Sequence, residues 1–175
     1  GRIGKAMANR AKAFGMDVYF FDPYLTKGVG ESLIIKREKE LDSLLSKSDF
    51  ITIHTPLTEE TRGMVNRGFF NKMKTGASLY NTARGEIIVL DDLYKALKAN
   101  QIKWVGFDVL EKEPIDYNHP LIKSWTRNED WISDRLVITP HSAFYNQQSY
   151  DEMRLKASQE LKRILEGKKP LNQVN

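Results

Sequence analysis

The sequence predicts an α/β fold built on a doubly wound parallel sheet, and two observations carry that reading. Short apolar runs of β-type composition recur along the chain, closed by turn residues or prolines. Between them lie segments whose apolar residues fall at helical spacing. Strands that alternate with helices run parallel, with the helices covering the sheet. The 175 residues, 41% of them hydrophobic, suffice for one domain with a substantial core.

The elements follow in order. An amphipathic helix over 3–14 places Ile3, Met7, Ala11 and Phe14 on one face. Asp17-Val18-Tyr19-Phe20-Phe21-Asp22 has the composition of a buried strand and is stopped by Pro23. A loop with Gly28 and Gly30 leads to a short helix marked by Leu41, Leu44 and Leu45, then to strand 50–54, which Pro56 terminates. A helix near 66–73 is followed by Gly76 and strand 77–81. Asp91 reads as the N-cap of a helix with Leu93 and Leu97 on its apolar face, and strand 104–109 comes next. A loop with Pro114 and Pro120 precedes strand 136–139, and a last helix is expected to bury Tyr150, Met153, Ala157, Leu161 and Ile164. The segment 124–135 stands out, because Trp125 and Trp131 sit among polar and charged residues; local packing is favoured there over a subunit interface.

The net charge of +4 comes from 27 basic and 23 acidic residues, interspersed without long blocks, which describes a solvated surface and gives no case for nucleic acid. Cysteine is absent and histidine occurs three times, so thiol chemistry is excluded and a protein metal cage is not expected. No apolar run approaches the roughly 20 residues that span a bilayer, and no apolar signal-type segment opens the chain. The expectation is a soluble, cytoplasmic protein with no membrane partner.

Three blocks fall where strands should end: Asn81-Thr82-Ala83-Arg84-Gly85, then Gly106-Phe107-Asp108-Val109-Leu110-Glu111-Lys112-Glu113-Pro114, then Thr139-Pro140-His141. In open α/β sheets the ligand crevice lies outside the carboxyl ends of the strands, so Arg84, Glu113 and His141 are candidates for one site. Each also has a plainer reading: a surface ion-pair partner, a loop carboxylate before proline, and a strand-end histidine. His54 reads as a strand-end residue, His119 as structural, and Lys168-Lys169 as a solvated helix end.

Gly1-x-x-Gly4 opening a helix is the back half of G-x-G-x-x-G, in which small residues let a helix N-terminus approach a pyrophosphate. Alone the pair is weak. Asp22 strengthens it, because an acidic side chain at the end of the next strand accepts hydrogen bonds from the ribose hydroxyls of NAD and repels a 2′-phosphate, although a turn residue would look the same. The first glycine and the strand before it are missing. The expectation is therefore a longer chain with an apolar strand and a glycine upstream of Gly1, and a 175-residue piece that does not fold alone, since in the order 3-2-1-4-5-6 the missing strand is central.

Gly1-Arg2-Ile3-Gly4, Asp22-Pro23-Tyr24, His54-Thr55-Pro56-Leu57-Thr58, Asn81-Thr82-Ala83-Arg84-Gly85, Asp108 with Glu113-Pro114, and Thr139-Pro140-His141 occur in the order seen in NAD-dependent D-isomer-specific 2-hydroxyacid dehydrogenases. The chain resembles that family over nearly its whole length. The resemblance implies a Rossmann NAD-binding domain, lacking its first strand here, inserted into a smaller substrate-binding domain that is mostly absent. It places the family's substrate-binding catalytic arginine on Arg84, its acid partner on Glu113 and its general acid/base on His141. It puts cofactor contacts at Arg2, Ile3, Asp22, Thr55, Pro56, Thr61, Thr82, Ala83 and Asp108, the last orienting the nicotinamide amide. A homodimer acting on a small 2-oxo or 2-hydroxy acid is implied as well. Glutamine in place of Glu113 would have indicated the formate-oxidising branch. Phe144, Tyr145 and Asn146-Gln147-Gln148 are similar to the branch containing NAD-sensing C-terminal-binding-protein corepressors, which keeps the same trio, so an NAD(H)-sensing, protein-binding module stands as the alternative.

Overall fold

A computed structural model describes residues 1–25, 35–171 and 173, so Gly28 and Gly30 of the expected loop lie outside the described residues. The chain divides into two compact units, Gly1–Pro140 and His141–Asn175.

The first unit opens with α1 (Arg2–Ala13), followed by β1 (Tyr19–Phe20) and β2 (Lys36–Arg37). After α2 (Leu41–Lys47) come β3 (Phe50–Ile53), α3 (Arg67–Lys72) and β4 (Ala77–Asn81). A 3-10 turn, Gly85–Ile87, leads into α4 (Leu90–Lys98), β5 (Ile102–Phe107), α5 (Pro120–Thr126) and β6 (Leu136–Ile138). All strand pairs are parallel, in two sheets of order β1-β2 and β3-β4-β5-β6. The expected α/β class with a parallel sheet is what the chain adopts.

Register explains where the core sits. Ile51, Leu79, Val105 and Leu136 form one row across the larger sheet, and Ile53, Asn81, Phe107 and Ile138 the next, so alternate residues of each strand share a face. Against that face the helices α2 to α5 pack in succession, burying Phe70, Leu93, Leu97 and Leu121. The opposite face leaves Phe50 and Val137 exposed, while Gly106 makes room for the ring of Tyr80, whose Cδ1 lies 2.8 Å from where a Cβ would stand.

Two elements escaped the sequence pattern. Strand β2 consists of two exposed charged residues and carries no apolar signal. Helix α5 lies where a proline loop was expected, because Pro120 occupies its first turn and the His119 side chain caps it, Nδ1 accepting from Leu121 N at 3.2 Å. Asp91 is not the N-cap of α4; Val89 holds that position and Asp91 lies in the first turn, where its charge still suits the helix dipole. On α1 the buried residue is Ala8, whereas Ile3, Met7 and Phe14 are exposed.

The 124–135 segment packs locally. Trp125 donates to Leu136 O at 3.1 Å, and Trp131 meets Tyr94 edge-on under the Lys98 ammonium, which lies 3.9 Å from the ring centroid. Arg135 binds four carbonyls, those of Lys103, Trp131, Leu97 and Ile102, at 2.7 to 3.1 Å, so one side chain ties the segment to the end of α4 and the start of β5.

The second unit is dominated by α6 (Gln147–Leu165), capped by Asn146, whose side chain accepts from Ser149 N at 2.9 Å. The expected burial of Tyr150, Met153, Ala157, Leu161 and Ile164 is not found: no residue of this helix is buried. The apolar spacing is present, but the described residues of the unit, His141 to Leu171 and residue 173, offer no second packing layer of their own.

Candidate active site

Strand β4 ends in a fully buried residue, Asn81, on the core face of the sheet. Its carboxamide closes the following turn from both sides: Nδ2 donates to Arg84 O and Oδ1 accepts from Ala83 N, each at 2.9 Å. Arg84 emerges in extended conformation with its side chain exposed, Nη1 donating to Ala83 O at 2.6 Å. Thr82 is exposed and Ala83 half-buried. Immediately after comes Gly85, where a Cβ would stand 1.9 Å from the carbonyl carbon of Leu110. No side chain fits there, and the absence of one brings the arginine loop directly onto the loop that follows β5.

At the end of β5, Asp108 is 5% exposed, donates its backbone N–H to Asn81 O at 3.0 Å and accepts from Thr139 Oγ1 at 2.5 Å. Thr139 also donates its N–H to Phe107 O at 2.8 Å. Burial of a carboxylate is unfavourable without such partners. Glu113 is exposed, and its Oε1 accepts from Leu110 N at 3.1 Å, which folds the acid back toward the residue that Gly85 touches. The structure thus joins the loops of Arg84 and Glu113, and links the ends of β4, β5 and β6. A cavity of about 220 Å³ beside them is lined by Val89, Asp91, Leu110, Lys112, Asp116 and His119, but by neither Arg84 nor Glu113.

His141 is the first residue of the second unit. Its φ of 50° lies in the left-handed region, uncommon for a residue with a side chain, and its ring meets that of Phe144 edge-on at 6.1 Å. Further edge contacts run from Phe144 to Tyr145 and on to Tyr150.

The dinucleotide end is built differently. Helix α1 has Gly1 as N-cap, and among the described residues no side chain caps it and no acid lies in its first turn, an arrangement that suits N–H groups near Arg2 and Ile3 to an anionic partner. Gly4 faces His54, whose Cβ lies 3.5 Å from the position a Cβ would take. Burial pushes the His54 imidazole below its usual pKa. Beside it Thr55 Oγ1 is buried and has no hydrogen-bond partner among the described residues. Asp22 Oδ1 accepts from Tyr24 N at 3.0 Å, and its carbonyl accepts from Arg37 Nη2 at 2.7 Å. The Thr61 hydroxyl donates to Pro56 O at 2.6 Å and accepts from Thr58 N at 2.8 Å. An uncapped helix start, a buried hydroxyl with no partner and a strand-end carboxylate fit a dinucleotide.

Residue type at strand ends does not by itself single out Asn81. The signal was there: an asparagine closing an apolar strand two residues before a loop is a turn-former whose side chain bonds backbone.

Comparison with known proteins agrees with the geometry. The model of the D-isomer-specific 2-hydroxyacid dehydrogenase NAD-binding domain matches residues 1–143. Over 175 residues the chain is 37% identical to a glyoxylate reductase of Korarchaeum cryptofilum and 35% identical to a D-3-phosphoglycerate dehydrogenase of Methanocaldococcus jannaschii. All of this chain is matched in both cases, against 50% and 32% of those proteins respectively. It also superposes, with a TM-score of 0.82 and 31% identity, on the NAD-complexed D-isomer-specific 2-hydroxyacid dehydrogenase of Lactobacillus delbrueckii subspecies bulgaricus, covering 100% of this chain and 53% of that one. The chain spans about half or less of these relatives' lengths, and NAD is the cofactor of the domain it shares with them. The chain belongs to the D-isomer-specific 2-hydroxyacid dehydrogenase family, of which it carries the NAD-binding domain.

Proposed function

We propose that the protein to which this domain belongs is an oxidoreductase that transfers a hydride between NAD(H) and a D-2-hydroxy acid/2-oxo acid pair. The observation that carries the reading is the backbone contact at Gly85, which sets the loop of a solvent-facing guanidinium against the loop of a carboxylate at the carboxyl edge of the sheet. NAD supplies the hydride acceptor or donor. Arg84 offers a bidentate fork to the substrate carboxylate and polarises the neighbouring carbonyl, which a lysine would do less well. His141 takes the hydroxyl proton as the acid is oxidised and returns it during reduction. Glu113 is the acid partner assigned to that imidazole. Arg2 and Ile3 serve the pyrophosphate, Asp22 the ribose, Thr55, Pro56 and Thr61 the adenosine and its linkage, and Thr82, Ala83 and Asp108 the nicotinamide side. The Asn81 bond to the Ala83 N–H and the Thr61 bond to Pro56 O leave these two residues to meet the cofactor through other atoms. A cytoplasmic homodimer completes the reading.

The test is oxidation of NADH by the full-length protein against pyruvate, glyoxylate, hydroxypyruvate and bulkier 2-oxo acids. Turnover should vanish in Arg84→Ala and His141→Ala while NADH binding is retained. Absence of turnover with every acid, together with NADH-dependent oligomerisation, would favour the corepressor-like alternative, which gains no support from the dehydrogenases and reductase named above. A preference for NADPH would remove the role given to Asp22, and a monomer in sedimentation would remove the dimer.

A further inference from the structure

We infer that Asn81 is the positioning residue for the substrate-binding arginine, its carboxamide acting as a two-sided clasp that fixes the direction in which Arg84 leaves the sheet. The inference rests on the proposed role of Arg84. Asn81 sits in the row of Ile53, Phe107 and Ile138 on the core face, where an apolar residue would satisfy packing and a carboxamide is unfavourable unless all its groups are matched. The match is made within three residues: the amide donates to Arg84 O, and the carbonyl oxygen accepts from Ala83 N, both at 2.9 Å. These groups belong to the 82–83 and 84–85 peptides, so one buried side chain holds the main chain on both sides of the 83–84 peptide. The main chain of Asn81 is fixed in turn, because its carbonyl accepts from Asp108 N at 3.0 Å. Gly85 then prevents sliding on the far side, its backbone lying against Leu110. Arg84 itself is exposed, and its guanidinium donates to Ala83 O, reaching back to the same clasped segment. Direction at the guanidinium therefore comes from the backbone below it.

The test uses full-length protein with NADH and the best 2-oxo acid of the panel. Asn81→Asp keeps the size and the acceptor but, when ionised, loses the donor to Arg84 O; when protonated, its hydroxyl restores that donor. The expected result is a KM for the oxo acid raised about tenfold or more at the alkaline end of the range. Relative to wild type at each pH, the defect shrinks as pH falls, the melting temperature drops toward the alkaline end because the ionised carboxylate is buried, and the Kd for NADH of the folded protein stays near wild type. Asn81→Ser, smaller and uncharged, should raise the same KM at every pH. An unchanged KM for the oxo acid in both folded variants overturns the proposal, and so does a parallel loss of NADH and oxo-acid affinity. Failure of both variants to fold overturns it too, since the carboxamide would then be a requirement of the fold. Arg84→Ala separates the two ideas: if it retains full turnover, the functional reading fails; if it is inactive while the Asn81 variants are normal, only the clasp fails.

Discussion

The two sheets obey the same parallel pairing, yet the four-stranded one carries nearly all of the core and the two-stranded one almost none. Among the described residues, those before Phe50 contribute only Ala8 and Leu45 to the buried apolar set, which otherwise runs from Ile51 to Leu136. Strands β1 and β2 hold together by backbone bonds such as Lys36 N to Val18 O at 3.0 Å and by the Arg37 bond to Asp22 O, with Tyr19 and Phe20 only half-buried. The difference matches what each region must do. In the proposed function, placing a guanidinium and a carboxylate relative to a reacting carbon demands geometry held by dense packing, whereas a helix start and a strand-end acid would meet a dinucleotide through backbone N–H groups and a single carboxylate.

The comparison is broken most easily by truncation in the full-length protein. Leu79→Ala, at the centre of β4 and fully buried, should cost about 2–5 kcal/mol in denaturant unfolding, and Phe14→Ala, on the exposed side of α1, less than about 0.5 kcal/mol. Equal losses would show that the two regions share one core. Arg135→Met should cost about 2–3 kcal/mol, since it strips a donor from four carbonyls at once. Gly85→Ala is expected to cost about 1–3 kcal/mol and to reduce turnover more than its stability loss explains, because the arginine and glutamate loops are forced apart. Asn66→Ala removes the cap of α3, which accepts from Gly68 N and Phe69 N, for about 1 kcal/mol. Breaking the exposed Lys36–Asp17 pair on β2 should leave the melting temperature unchanged.

The last effect is one of pH. His54 has its folded pKa below the unfolded value, so its contribution to stability is complete above about 6.5 and is lost as pH falls through the folded value. His54→Gln should flatten the acid limb of the stability curve; an unchanged limb would place its origin elsewhere.

Elements with apolar periodicity were legible in the sequence, and strand β4 was read at its observed ends because Gly76 and Asn81 punctuate it on both sides. Lys36–Arg37 was not legible, since a two-residue strand of exposed charged side chains has no period to detect. Pro120 misled because proline marks a loop and a first helical turn equally well, and only the preceding His119 distinguishes them. The stripe on α6 was read correctly as apolar, but periodicity reports which residues share a face and not what covers it. For the site, residue types at strand ends single out Arg84, Glu113 and His141, and the structure brings the loops of the first two together. The clasp at Asn81 and the contact at Gly85 depend on interatomic distances, about which composition is silent.

The contact at Gly85 also bears on how such a site can diversify. Both partners are main chain, so the spacing between the arginine loop and the acid loop is indifferent to which side chains stand at positions 111 and 112. Glu111 and Lys112 line the neighbouring cavity and are exposed. Descendant sequences are free to alter its charge and shape there while the arginine keeps its place.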